Sequence, residues 1–130
     1  MPVLAIHGRL DPVNVFADDD PRIVPGSSWT YGAPEALRRW ADSNGCNPNN
    51  VRREPVAPHV DLVTYRGCHS GADVALYDVA DGGHTVPGTL VVPFLVPIVG
   101  ATNQELNTPD AIWDFVSHFR LPNSHDGHRD

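Results

Sequence analysis

The chain contains no lysine; all nine of its basic residues are arginine, which marks a coding bias rather than a chemistry. Positive charge is also outweighed, with a formal net charge of -7. That balance argues against a sequence-independent grip on nucleic-acid phosphates. Cysteine is limited to Cys46 and Cys68. Two cysteines without a CxxC partner do not make a structural zinc site unless histidines help. Long apolar runs are missing too. The longest, TLVVPFLVPIVGA near residues 89–101, is broken by Pro93 and Pro97 and is too short to span a bilayer. The chain therefore reads as soluble, with no membrane and no nucleic acid as partner. Met1 leads directly into PVLAIHG, which has neither the charged start nor the length of a secretory leader.

What is present suits one folded unit. The 130 residues are 41% hydrophobic, enough to bury a core and too much for a disordered composition. Thirteen prolines and eleven glycines imply short elements joined by many loops. PVLAIHG reads as a wholly apolar strand of the kind buried on both faces in a parallel sheet. Pro34 and Gly45 bound a helix whose Ala33, Leu37, Trp40 and Ala41 share one face. VDLVTYRGC and ADVALYDVA read as two strands joined by a turn between Gly67 and Gly71. NTPDAIWDFVSHF reads as a helix capped by Thr108, with Pro109 at its first position and Asp110 at the positive end of its dipole. Ile112, Phe115, Val116 and Phe119 form its expected buried stripe. The polar tail LPNSHDGHRD is expected to fray. The order strand, helix, strand pair, helix indicates an α/β fold. The opening strand looks central yet has nothing before it to pair with, which is natural in the second part of a larger sheet.

Two side chains carry the chemistry. Asp11 follows the first strand in HGRLD, and His84 follows the strand VALYDVA in ADGGHTVPG. Loops at the carboxyl ends of strands are where α/β proteins place their sites. If the two strands are parallel neighbours, Asp11 can accept a hydrogen bond from His84 Nδ1 and leave Nε2 as a base. His7, at the end of the first strand, reads as structural. The run Asp18, Asp19 and Asp20 reads as a solvated loop rather than a cation site, and His125 and His128 stand in no ordered frame for a metal. No cofactor is implied.

MPVLAIHGRLD, RRWADSNGC, YRGC, VALYDVADGGHTVPG and IWDFVSHF, in that order, resemble the carboxyl-terminal half of the secreted polyhydroxybutyrate-depolymerase-like esterases, relatives of feruloyl and acetylxylan esterases. The resemblance runs to about residue 120. It implies an incomplete α/β-hydrolase domain over residues 1–120, with a mostly parallel sheet and flanking helices, followed by the tail 121–130. It implies a triad acid at Asp11, a triad base at His84, a disulfide between Cys46 and Cys68, and an exported protein. A bridge closing that loop would contribute roughly 3 kcal/mol. Family members usually carry tryptophan where this chain has Val86, which makes Val86 a candidate pocket residue beside the loop residue Trp29. The proline-rich run around Pro93 and Pro97 fits the family pattern poorly.

The family's nucleophile is a serine in a GxSxG elbow, and no serine here has that frame. Ser27 and Ser28 stand in PGSSWTYG, Ser70 stands one place late in GCHSG, and Ser43, Ser117 and Ser124 have no such surroundings. The expected activity is thus that of a serine-type ester hydrolase on ester or polyester substrates, represented by the half bearing acid and base and inactive alone. A separate nucleophile-bearing half would be its partner. The alternative is a non-catalytic truncated remnant or a polymer- or carbohydrate-binding fragment.

Overall fold

The computed structural model describes residues 1–27 and 30–120. Strand β1 (Val3–Gly8) is followed by helix α1 (Ala33–Ser43), strands β2 (Val51–Ala57), β3 (Val60–Tyr65) and β4 (Val74–Val79), a single helical turn α2 (Val96–Val99) and helix α3 (Thr108–Val116). The four strands form one sheet in the order β1-β4-β3-β2.

This sheet is mixed, which corrects the expectation of a mostly parallel α/β-hydrolase half. Only β1 and β4 run parallel, Val3 opposite Val74 through Gly8 opposite Val79. The pairs β3–β4 and β2–β3 are antiparallel. The reason lies in the connections. A parallel neighbour needs a long crossover, and only β1 and β4 have one between them, passing through α1. The links between β2 and β3, and between β3 and β4, are short enough only to turn the chain back. Strand β1 is accordingly an edge strand with half-buried residues, rather than a strand covered on both faces.

Strand β2 has no counterpart in the sequence reading. VRREPVA carries three charged residues and a proline, and shows no apolar alternation. It forms because β3 offers a free edge. Pro55 is tolerated there, since an edge strand can spare one ladder donor, and the register shifts between Pro55 and Ala57.

The sheet faces are covered unequally. On one side Leu37 and Ala41 of α1 pack with Phe16, Val63, Val74 and Leu76. Trp40, expected on the same face, is instead 43% exposed on the flank of the helix. Gly32 at the start of α1 has no side chain to cap it, so Asp18 reaches across the loop and accepts from Glu35 N–H at 3.0 Å while pairing with Arg38.

On the other side only the first turn of α3 is anchored. Ala111 packs with Val60, Val79 and Leu106, and Thr108 Oγ1 donates to the Pro87 carbonyl. The cap is Asn107, whose side chain accepts from Asp110 N–H, rather than Thr108. The expected stripe is likewise corrected: Ile112 and Val116 are each 44% exposed. Beyond its first turn α3 stands off the sheet, leaving a cleft of about 450 Å³ between Phe115 and Phe119 on one side and Leu62, Ala75 and Tyr77 on the other.

A disulfide joins Cys46, just after α1, to Cys68, just after β3. Residues 121–130, where the tail with His125 and His128 falls, lie outside the described residues.

Candidate acid–base site

The parallel pairing of β1 and β4 brings their carboxyl ends to one edge of the sheet. The loops that leave those ends are held together by backbone. Arg9 N–H donates to the Val79 carbonyl and Leu10 N–H to the Gly82 carbonyl. This approach is what the glycines permit. A Cβ on Gly8 would stand 2.1 Å from the Gly82 carbonyl oxygen, and one on Gly83 would stand 2.3 Å from that of Val99. Neither distance is compatible with a side chain. On its far side the same loop is tied to the end of α2 and the segment after it, with His84 N–H on the Val99 carbonyl and Gly83 N–H on that of Ala101. The glycines that frame His84 therefore let three segments converge at one point.

At that point His84 Nδ1 lies 3.0 Å from Asp11 Oδ2. Asp11 is buried, with 7% of its surface exposed, and its other oxygen accepts from the N–H groups of Val13 at 2.7 Å and Asn14 at 2.8 Å. Burial pushes the Asp11 carboxyl up. The Asn14 and Val13 amides and the hydrogen bond from His84 outweigh it and hold the group below the ordinary carboxylate value. Asp11 is thus an ionised acceptor, and Nδ1 must be the donor. The proton on Nδ1 leaves the lone pair on Nε2. The His84 side chain is 43% exposed, and among the described residues Nε2 has no hydrogen-bond partner.

A cleft of about 230 Å³ opens over this pair, walled by His7, Asn14, Thr85 and Val86 among others. The larger cleft under α3 is lined by Asp73, Asp114 and His118, but His118 Nδ1 is bonded to the Asp114 backbone carbonyl rather than to a carboxylate, and the cleft lies on a sheet face, away from this edge. His7 serves structure: its Nδ1 is bonded to the Gly8 carbonyl, and its ring meets Phe16 edge-on at 5.3 Å. Val86 is half-exposed on the rim. Trp29 lies outside the described residues. Among the described residues lining the cleft there is no serine.

Four supporting side chains escaped the sequence reading. Arg9 makes a two-pronged contact with Asp78, Nε to Oδ1 at 2.7 Å and Nη2 to Oδ2 at 2.6 Å. Arg53 reaches the same carboxylate at 2.9 Å. Burial raises the Asp78 carboxyl, but the two guanidinium groups prevail and hold it below its ordinary value. The contact fixes the turn two residues before Asp11. The buried Asn103 does similar work on the other flank: Oδ1 accepts from Glu105 and Leu106 N–H, and Nδ2 donates to Asp81. A charged residue in a strand, such as Asp78, is a legible sign of a buried pair. An asparagine in a loop carries no comparable signal.

The chain is similar to a protein of Nocardia uniformis subsp. tsuyamanensis described as "Putative esterase NocK", with 30% identity over 128 residues, covering 89% of this chain and 37% of that protein. The relationship is esterase-like at this coarse level, and the chain spans little more than a third of the length of that relative. No family model and no solved structure matches the chain.

Proposed function

We propose that Asp11 and His84 are the orienting acid and general base of a serine-type carboxylic ester hydrolase, nearest in its motifs to the polyhydroxybutyrate-depolymerase-like esterases. The observation that supports this most strongly is the Nδ1–Oδ2 contact of 3.0 Å, made by a buried, doubly anchored carboxylate with a half-exposed imidazole. In the complete enzyme a serine Oγ attacks the ester carbonyl and its proton passes to His84 Nε2. The tetrahedral intermediate expels the alcohol, which takes that proton. Water then attacks the acyl-enzyme, gives its proton to Nε2, and releases the acid as serine recovers its hydrogen.

This reading needs a serine nucleophile, and none lines the cleft among the described residues. A second reading, a non-catalytic binding fragment, draws support from the absence of a serine among the described cleft residues. Hydrolysis of p-nitrophenyl esters separates the two. The 130-residue chain alone should show no His84-dependent turnover. Joined to the part of NocK that lies outside the match, it should gain turnover that His84→Ala removes. Unchanged activity in His84→Ala would sink the acid–base assignment. The disulfide between Cys46 and Cys68 supports an oxidising, extracellular setting for such an enzyme.

A further inference from the structure

Residues 89–100 form a wall beside His84 that the acid–base pair does not use. Pro93 begins a short 3-10 turn, which passes into α2. Val92, Leu95, Val96 and Val99 recur at helical spacing and line a trough of about 250 Å³. The trough and the acid–base cleft share His84, Thr85 and Val86 as common lining, so one runs into the other. Among the described residues no ionisable side chain apart from His84 lines it, although the chain as a whole carries a formal net charge of -7. Val86, Leu90, Val91, Val92 and Val96 are all at least 38% exposed, a contiguous apolar surface of the kind that marks a binding site. Its position relative to His84 is fixed, because His84 N–H donates to the Val99 carbonyl and Thr85 Oγ1 to that of Ala101.

We propose that this trough holds the aliphatic chain of the substrate, making the preferred ester one of a medium-chain carboxylic acid. The assignment rests on the acid–base reading for its catalytic meaning, and the binding it claims is measurable without catalysis. An uncharged, open-ended apolar channel that starts at the base suits a flexible hydrocarbon chain. It offers no charged partner for a sugar acid or a phosphate. It is also smaller than the roughly 300–1,000 Å³ of pockets that enclose drug-sized ligands, which favours a chain over a fused ring system.

The test is methyl NMR on the full 130-residue chain titrated with sodium octanoate, with sodium acetate as control. Octanoate should shift the methyl groups of Val92, Leu95, Val96 and Val99 saturably, and acetate should not. Val96→Asp, which puts a charge in the wall, should weaken octanoate at least tenfold. Val86→Trp, which fills the shared entrance, should weaken it similarly. Equal affinity in both variants would overturn the proposal. So would octanoate shifts confined to the Tyr77–Phe115 cleft or to the outward-facing Phe94 and Ile98. Octanoate binding is read on the unaltered chain, with no turnover involved. Trough binding that survives alongside a failed hydrolysis assay would therefore count against the acid–base reading alone.

Discussion

Asp11→Asn in the joined, active protein should lower kcat by about 10⁴-fold while leaving KM nearly unchanged. The size of the effect follows from the tautomer that the carboxylate enforces, and a wrong tautomer at an otherwise intact triad costs about that much. The geometry here makes the outcome specific. Val13 and Asn14 N–H groups both point at Oδ1, so the asparagine must keep its carbonyl oxygen there. Its NH₂ group then faces His84 Nδ1, where the carboxylate oxygen had been. Two donors cannot share that contact, so the imidazole must carry its proton on Nε2 and lose its base. Substrate contacts do not change, which is why KM should stay. A fall of tenfold or less, measured in steady-state hydrolysis, would show that Asp11 does not set the state of His84.

Loss of the disulfide should be the largest stability effect of a simple chemical change. The bridge between Cys46 and Cys68 closes a separation of 22 residues, worth about 3 kcal/mol in the chain-entropy estimate. It pins the end of α1 to the end of β3, where His69 N–H also bonds the Asn44 carbonyl. The exposed helix flank and the half-open second sheet face leave little reserve to absorb the loss. Urea unfolding of the Cys46→Ala, Cys68→Ala double variant should show a midpoint lowered in proportion, with reduced wild type behaving the same way. A change below about 1 kcal/mol, within the scatter of minor substitutions, would mean the loop is already ordered when unfolded or the bridge does not form.

The sequence made the local elements readable where a single force dominates. Pro34 and Gly45 bracket α1, and the β-branched runs mark β3 and β4. Direction was harder. The Gly67–Gly71 turn already required β3 and β4 to be antiparallel, yet the apolar character of VLAIHG and the family resemblance suggested a parallel sheet. Apolar content reports burial and says little about which neighbour a strand takes. Strand β2 was invisible because its order comes from β3's edge hydrogen bonds and not from its own side chains. The stripe on α3 misled for a related reason: amphipathic spacing states which face could be buried, while the anchoring of Thr108 and Ala111 decides how far the helix actually leans on the sheet. The meeting of Asp11 and His84 was legible because glycines and strand ends frame them. Their supports, Asp78 and Asn103, are long-range partners that only the fold brings close. The run around Pro93 and Pro97 looked like a misfit in sequence and stands in the fold as the wall beside His84.

Buried Asp11 accepts from His84 Nδ1 and so keeps the imidazole proton there. Because folding depresses the Asp11 carboxyl, the stability this contact gives is present above the unfolded value of about 3.9 and is lost as pH falls through the lower folded value. The most direct measurement is the long-range ¹H–¹⁵N spectrum of the imidazole rings, recorded at about pH 8 where an ordinary imidazole is neutral. His84 should show the Nδ1–H tautomer in the wild type and the Nε2–H tautomer in Asp11→Asn. An Nε2–H tautomer in the wild type, or the same tautomer in both proteins, would contradict the account.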